Sequence, residues 1–552
     1  MSSATAAPVT EPEKIDAAVL KIAGVVVLGA IMSILDITVV NVALPHFQTD
    51  LAPAGQPPLA YSTVAWTVTA YTLALATVIP LTGWAADRFG TKRLYLTAIT
   101  LFVLGSVLCA FASSIEALIA FRVVQGLGGG MLMPLGMTIM TRAAGPERMG
   151  RLMAILGIPM LLGPIGGPIL GGWLIDNAHW LGRPSWSWIF LINLPIGIIG
   201  LAYAWVVLPQ DRTEPSESLD VIGLLLMSPG LALFLYGVSS IAEEQTFFAT
   251  KVIVPGTIGL ILMAIFAWWS FRPEHPLIDL RLFGNRNFTI ASLTMFLFGG
   301  AFFGGLLLVP TYLQQVRGED TLTAGLLLAP QGLGAMVTMP LAGYLADKYP
   351  VGRIVPIGLA IITGGMFALT QITHETSYWG YLIPVLFVMG LGMGMTMMPL
   401  MTSALKTLTA HQVARGSTTL NIVQQVASSF GVAVISVVLV NAFNSRPLIG
   451  QAQGYDQAAE GVQDPGMLQE LLGRFPEVGR VLASVTDPTQ APMVLLDAVR
   501  QQMGEAFAST YWIAGGLCLL TFLVSLLLPR RREVSHLLEG DDAAAQVHVP
   551  MH

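Results

Sequence analysis

The chain has 552 residues, 54% of them hydrophobic and 11% charged, whereas an ordinary soluble protein carries roughly 25% charged residues. That balance excludes a soluble globular domain and fits an all-α polytopic membrane protein. The net charge of -6 belongs to loops and tails, and it offers nucleic acid no basic surface.

A helix needs about 20 mostly apolar residues to cross the hydrocarbon core. After a polar tail, 1–17, the sequence predicts a retained first span over 18–44 that is too long for a signal-peptide core. It ends in Ser33-Ile-Leu-Asp36-Ile-Thr38-Val-Val-Asn41-Val-Ala-Leu-Pro45, so a carboxylate lies in a lipid-compatible helix. Spans follow at 62–82, 94–112, 117–141, 149–172 and 187–208, then 219–240 and 252–271. The last six are expected at 287–312, 323–346, 353–373, 379–405, 416–443 and 507–529, with a polar segment at 444–507 and a tail at 530–552.

With both termini on the cytoplasmic side, nineteen of the 27 lysines and arginines fall there, seven fall outside, and Arg122 lies within a span. Four of the seven occupy the 444–507 segment, where length weakens the positive-inside rule. The chain also repeats itself. Gly83-Trp-Ala-Ala-Asp87-Arg88-Phe, between the second and third spans, recurs as Gly343-Tyr-Leu-Ala-Asp347-Lys348-Tyr, and the Gly126–Pro134 stretch recurs at Gly390–Pro399. The repeats predict two six-helix bundles, 18–208 and 287–529, separated by two inserted helices at 219–271. Secondary transporters built this way place substrate between the halves near the midplane.

Asp36 should sit ~13 Å below the outer end of its span and Arg122 ~7 Å below the end of the fourth, at 1.5 Å rise per residue. The two are at compatible depth, and intramembrane charges pair or line cavities. Burial disfavours the carboxylate while a neighbouring guanidinium favours it. Asp36 is therefore expected to bind a proton when the cavity faces outward and release it inward. A polar contact that only joins two helices is the other reading.

Gly163, Gly167 and Gly171 share one helix face, suited to close helix approach, and Pro164 and Pro168 should bend that helix. In the loop Gly83 to Arg93, Asp87 is placed to cap the next helix or pair with Arg142 or Arg148. Arg88 and Arg93 otherwise serve as topology signals. Asn41, Trp66, Tyr71, Gln125, Gln314, Gln331, Asn421, Gln424 and Gln425 are the polar and aromatic candidates for a substrate cavity, which suits bulky lipophilic ligands. One deep carboxylate favours cationic or neutral compounds. Cys109 and Cys518 read as small apolar fillers.

No lysine follows a glycine, which excludes the phosphate-binding Gly-Lys-Ser/Thr pattern. No metal cluster or Ser-His-Asp arrangement is legible, and no cofactor is expected. These absences weigh against a membrane enzyme or sensor. Two short amphipathic pieces in 444–507 suggest either a solvated connector or a docking surface for a periplasmic adaptor.

The Asp36 segment, Trp66-Thr-Val-Thr-Ala-Tyr71, Gly83 to Arg93, Arg122-Val-Val-Gln125-Gly126 and Gly163-Pro164-Ile-Gly166-Gly167-Pro168 closely resemble the major facilitator superfamily. So do Trp188 to Gly197 and Tyr312-Leu-Gln314, over about residues 25–440 and again in the last span. Within that superfamily the resemblance is to the fourteen-helix drug:proton antiporters of the EmrB/QacA type. It implies efflux of lipophilic drugs across a bacterial inner membrane by alternating access. It also implies that the Gly-Pro pattern marks exporters and that the Gly83 and Asp347 loops steady one end of the cycle. A dedicated exporter of a lipid, siderophore or secondary metabolite uses the same scaffold. Ser187 and Gln424 stand where the family usually has arginine, so contacts through those arginines do not carry over.

Overall fold

The structure is a computed structural model. It describes residues 16–531 apart from 54–55, 145–147, 179–181, 211–217, 245, 410–411, 460–464, 484 and 486–489. Most of both expected tails lies outside the described residues. The described part is helical, with no strand among the described residues.

In chain order the first group is α1 (Ala17–Asp50), α2 (Tyr61–Phe89), α3 (Thr91–Ala110), α4 (Ile115–Ala144), α5 (Met149–Asn177), α6 (Ser187–Leu191) and α7 (Asn193–Val207). The inserted pair is α8 (Val221–Glu244) and α9 (Thr250–Trp269). Then come α10 (Arg286–Gln315), α11 (Thr321–Lys348), α12 (Val351–Ala368), α13 (Ile383–Gly394), α14 (Met397–Lys406) and α15 (Val413–Asn444). Three short helices, α16 (Pro447–Ala459), α17 (Pro465–Arg474) and α18 (Pro476–Ala483), precede α19 (Ala491–Ser525).

Thirteen helical segments among the described residues are long and apolar enough to span a membrane. The fourteenth expected span, 149–172, falls within α5, a 29-residue helix. Two spans are broken. Ile192 interrupts α6 and α7, and Met395 and Thr396 separate α13 from α14, just after the glycine-rich 390–394 run that weakens helix continuity. Several boundaries move outward. α1 continues past Pro45 to Asp50, and α19 begins at Ala491, sixteen residues before the expected 507. α19 opens on the apolar Ala491 to Leu496, but Asp497, Arg500, Gln501, Gln502 and Glu505 then interrupt the apolar run, so hydropathy does not extend the last span back to Ala491. α16, α18 and the start of α19 bury Leu448, Ala452, Val478 and Leu495 together. The polar segment is thus a small folded cap.

Glycine sets the closest helix approaches. A β-carbon at Gly163 or Gly167 would collide with Ile34 or Thr38, which seats α5 on α1 as the four-residue stripe anticipates. A β-carbon at Gly128 would press on the backbone of α3 at Phe102 and Ala98. Gly90, with φ of 86°, makes the tight turn between α2 and α3 that a β-carbon would strain. The inserted helix α8 packs against α9, α2 and α15, and Ser228 Oγ donates to the Thr77 carbonyl of α2 at 2.6 Å. Asp220 ties the start of α8 to the end of α9 and to the segment leading into α10. It accepts from Gly223 N at 2.8 Å, Trp269 Nε1 at 2.9 Å and Leu277 N at 3.3 Å.

Candidate functional site: a buried ion pair, an apolar cavity and a closed end

Asp36 on α1 and Arg122 on α4 meet inside the first group of helices, both side chains without exposure. Arg122 Nη1 lies 2.5 Å from Asp36 Oδ2. The other carboxylate oxygen accepts from Gln125 Nε2 at 2.7 Å and from Asn193 Nδ2 on α7 at 3.4 Å. Arg122 is held in turn by the Thr67 carbonyl at 3.0 Å and by Gln125 Oε1 at 2.8 Å. Its guanidinium carbon lies 4.1 Å from the centre of the Tyr71 ring, a cation–π contact that strengthens when water is excluded. Nη2 has no hydrogen-bond partner among the described residues. Removing two charges from water is costly unless donors and acceptors are met, and here all but that one nitrogen are engaged.

Local sequence explains the assembly. Arg122 and Gln125 are three apart on α4 and so share a face. A β-carbon at Gly105 would press on the Gln125 backbone, so the glycine lets α3 and α4 close around the pair. Asn193 donates to Ser106 Oγ at 3.1 Å, and Ser106 donates to the Phe190 carbonyl at 2.9 Å. Sequence reasoning does not single out Asn193 and Ser106 as members of this site, although Asn193 lies in a motif that resembles the family. Neutral polar residues in spans are common, and only Asn193's placement directly after the Ile192 break marks it. Cys109 donates its thiol to Gln125 Oε1 at 3.6 Å, which makes it more than a filler.

A cavity of about 370 Å³ lies between α1, α2, α4, α5, α10 and α15. Of the nine cavity candidates, Asn421, Gln424 and Gln425 line it. The others do not. Tyr71 and Gln125 belong to the ion-pair cluster, while Asn41 donates to its own helix at Ile37 O and Gln314 is exposed. Gln331 is buried with Nε2 3.3 Å from Met393 Sδ. Trp66 lines a separate cavity against Tyr236. Most of the lining is apolar, including Ile34, Ile37, Leu75, Met133, Met160, Phe303 and Leu306. Such residues cannot be told from lipid-facing ones by sequence. Ser33 belongs to both places: it lines the cavity, and its hydroxyl is 3.4 Å from the Tyr71 hydroxyl.

The end of the bundle that holds the repeated Gly83 and Gly343 motifs is drawn together by reciprocal contacts. Asp87 on α2 lies 3.3 Å from Arg142 on α4 and 4.0 Å from Arg415 on α15. Asp347 on α11 accepts from Gly150 N at 2.8 Å and from Arg151 Nε at 3.1 Å, both on α5. The expected Asp87–Arg142 pair forms. Arg148 instead reaches Asp16 at 3.2 Å, because it precedes α5 beside the start of α1. Arg88 is half-buried and Arg93 exposed, and neither forms an ion pair with a described residue. A β-carbon at Gly343 would sit 2.6 Å from Gly150 O, and one at Gly83 3.1 Å from Thr418 Oγ1, so both motif glycines permit the close approach. Pro168 is half-buried in α5, while the side chain of Pro164 lies outside the described residues.

No group of three or more metal-ligating side chains occurs among the described residues. Residues 26–432 match the Major Facilitator Superfamily model. The chain is 44% identical over 530 residues to "Multidrug resistance protein B homolog" of Mycobacterium tuberculosis, covering 95% of this chain and 92% of that one. It is 33% identical over 417 residues to "Multidrug export protein EmrB" of Haemophilus influenzae, covering 75% and 79%. It is 30% identical over 412 residues to "Fatty acid resistance protein FarB" of Neisseria gonorrhoeae, covering 74% and 79%. Among solved structures, the proton:xylose symporter XylE bound to a bromodeoxyglucose superposes with a TM-score of 0.56 at 15% identity, over 95% of this chain and 98% of that one. That likeness concerns the fold. Family model, relatives and fold converge on a multi-pass membrane transporter, and the chain belongs to the Major Facilitator Superfamily, in the family of EmrB-type members.

Proposed function

We propose that this transporter expels lipophilic cationic or neutral compounds from the cytoplasm of a bacterium in exchange for protons, with Asp36 as the proton carrier. The observation that carries the reading is the sealed Asp36–Arg122–Gln125 cluster beside an apolar cavity, linked to it through Tyr71 and Ser33. Charge in a membrane interior is retained where it has a task. The apolar lining with Asn421, Gln424 and Gln425 suits bulky ligands held by few hydrogen bonds. The names of the relatives, multidrug export and multidrug resistance proteins, support export of more than one compound.

Two six-helix bundles, α1–α7 and α10–α19, would rock about this cavity, with α8 and α9 riding beside them in the inner membrane and both termini in the cytoplasm. On this orientation the closed end is cytoplasmic, and opening it requires the Asp87 and Asp347 contacts to part. Protons moving down ~100 mV supply about 2.3 kcal/mol each, enough to hold a neutral substrate at roughly 40-fold. No bound cofactor takes part. The cap of α16–α18 is a candidate seat for a periplasmic adaptor. The name of the Neisseria relative, a fatty acid resistance protein, favours a second reading, a dedicated exporter of a lipid-like metabolite.

Purified protein in vesicles, with an imposed pH gradient and a panel of cationic, neutral and anionic dyes, tests the proposal. Uptake of cationic and neutral dyes that collapses in Asp36→Asn supports it. Gradient-driven transport that survives in Asp36→Asn refutes the carrier assignment, and transport of fatty acids alone favours the second reading.

A further inference from the structure

We infer that the large cavity selects aryl-bearing protonated amines, with the aromatic ring against Phe303 on α10 and the N–H directed at an acceptor face around Asn421 on α15. The inference rests on the export reading above and narrows its substrate class.

Among the described residues, no charged side chain lines this cavity. A cation inside it is met by neutral groups, and the hydrogens of most of those groups are already spent. Thr38 Oγ1 donates to Leu35 O at 3.0 Å and Gly163 O at 3.2 Å, Thr72 Oγ1 to Val68 O at 3.0 Å, and Ser428 Oγ to Gln425 O at 3.0 Å. Asn421 Nδ2 donates to Ser417 O at 2.8 Å and to Met137 Sδ at 3.0 Å, while its Oδ1 accepts from no described residue. What these groups still offer a ligand is lone pairs. The side chains of Gln424 and Gln425 form no hydrogen bond with a described residue and can turn their oxygens to the same ligand. An ammonium that keeps an N–H satisfies such acceptors. A quaternary ammonium of equal charge has no hydrogen to give, and a carboxylate finds few donors, so either leaves buried polar groups unpaired.

Phe303 is the one aromatic residue in the lining among the described residues. Phe302 meets it edge-on, with ring centres 5.0 Å apart and planes at 65°. Phe303 also borders a small recess formed by Met295, Phe298, Met397 and Leu400. Open space on two sides leaves its ring able to turn and stack with a ligand ring, the offset geometry that aromatic pairs prefer. At about 370 Å³ the cavity has room for a two-ring amine. Asp36 does not produce this selection: it lines no part of the cavity, and it acts on an amine and a quaternary cation through the same unit charge.

Whole protein in nanodiscs is titrated calorimetrically at pH 7, against empty nanodiscs, with four probes: a naphthylmethyl dimethylamine, its quaternary trimethylammonium analogue, the decahydronaphthyl amine and naphthylacetate. Wild type should bind the naphthyl amine about tenfold tighter than the quaternary analogue, the effect of one hydrogen bond to a charged group, and naphthylacetate weakest. Asn421→Leu should remove most of the tenfold difference. Phe303→Leu should weaken the naphthyl amine about fivefold relative to the decahydronaphthyl amine, the scale of an aromatic pair, and Phe303→Tyr should retain the preference. Trp66→Leu, in the separate cavity, should change neither ratio. Equal binding of amine and quaternary cation in wild type overturns the acceptor face, and an unchanged ring preference in Phe303→Leu overturns the ring site. Losses that follow Trp66→Leu place the ligand in the other cavity and overturn both. Thermal unfolding of each variant within a few degrees of wild type confirms that the losses are local. Binding is read without a pH gradient, so selective binding without proton-driven transport sinks the export reading alone, whereas gradient-driven transport without this selectivity sinks the present inference alone.

Discussion

The hydroxyls of Ser33 and Tyr71 lie 3.4 Å apart and belong to different places, Ser33 to the wall of the large cavity and Tyr71 to the seat of the Arg122 guanidinium. Asp36 itself lines no part of that cavity. On the proposed reading, a cation in the cavity would meet the carboxylate through an aromatic ring and two hydroxyls and would sense its charge without touching it. Tyr71→Phe keeps the ring under Arg122 and should preserve most proton-coupled transport. Tyr71→Ala removes the ring and should lower coupling at least tenfold, equivalent to about 1.4 kcal/mol, within the range of a desolvated cation–π contact. Proton flux per dye molecule in vesicles reads the difference; equal losses in the two variants would place the role in the hydroxyl.

A double-mutant cycle on Asp36 and Arg122 separates structure from drive. Removing one partner of a buried pair typically costs about 3 to 5 kcal/mol because the other charge is stranded. Arg122→Gln strands Asp36, which keeps only Gln125 and Asn193, and should unfold well below wild type. The double variant Asp36→Asn with Arg122→Gln strands nothing, and it should regain most of that stability without regaining transport. If stability and transport return together, the pair is a helix clip and not a proton site.

How much is legible in the sequence depends on the chemistry of each residue. Asp36 and Arg122 stand out because charge in an apolar helix is rare, and depth alone matches them. Gly163 and Gly167 are legible as a packing stripe, and their partner, α1, comes only with the structure. The neutral amides divide. Gln424 and Gln425 reach the cavity while Asn41 and Gln314, equally polar and equally within spans, do not, since an uncharged amide turned to solvent or its own helix carries no signal in sequence. Hydropathy finds the inserted helices, and it misses the early start of α19 because Asp497, Arg500, Gln501, Gln502 and Glu505 break the apolar run between its first turn and the span.

That division of the amides is itself testable. Gln424→Leu and Gln425→Leu each remove a hydrogen-bonding group from the cavity wall. They should shift the relative transport of polar and apolar dyes by about tenfold, as a lost hydrogen bond to ligand does. Asn41→Leu and Gln314→Leu should leave the dye profile within about twofold of wild type. A profile altered equally by all four would mean that the cavity in use during transport is not the one between α1 and α15.

The closed end gives the sharpest conformational prediction. Asp347 binds Gly150 N and Arg151, whereas the matching Asp87 reaches Arg415 only at 4.0 Å. The two motifs repeat in sequence, and of these two contacts between the bundles the one at Asp347 is the shorter. Asp347→Asn weakens charge-assisted hydrogen bonds that are worth about 1.5 to 3 kcal/mol each, so it should open this end more often than Arg415→Gln does. The asymmetry should appear as a population shift of at least about tenfold for Asp347→Asn and a smaller one for Arg415→Gln. Spin labels on Arg88 and Arg353 replaced by cysteine, with Cys109 and Cys518 buried and unreactive, report the distance distribution across that end. Transport should fall with the same ranking, because in the proposed mechanism a cycle that rests open at this end would release its proton before the outward step. A shift toward the closed form in Asp347→Asn would reverse the assignment of this contact as a lock.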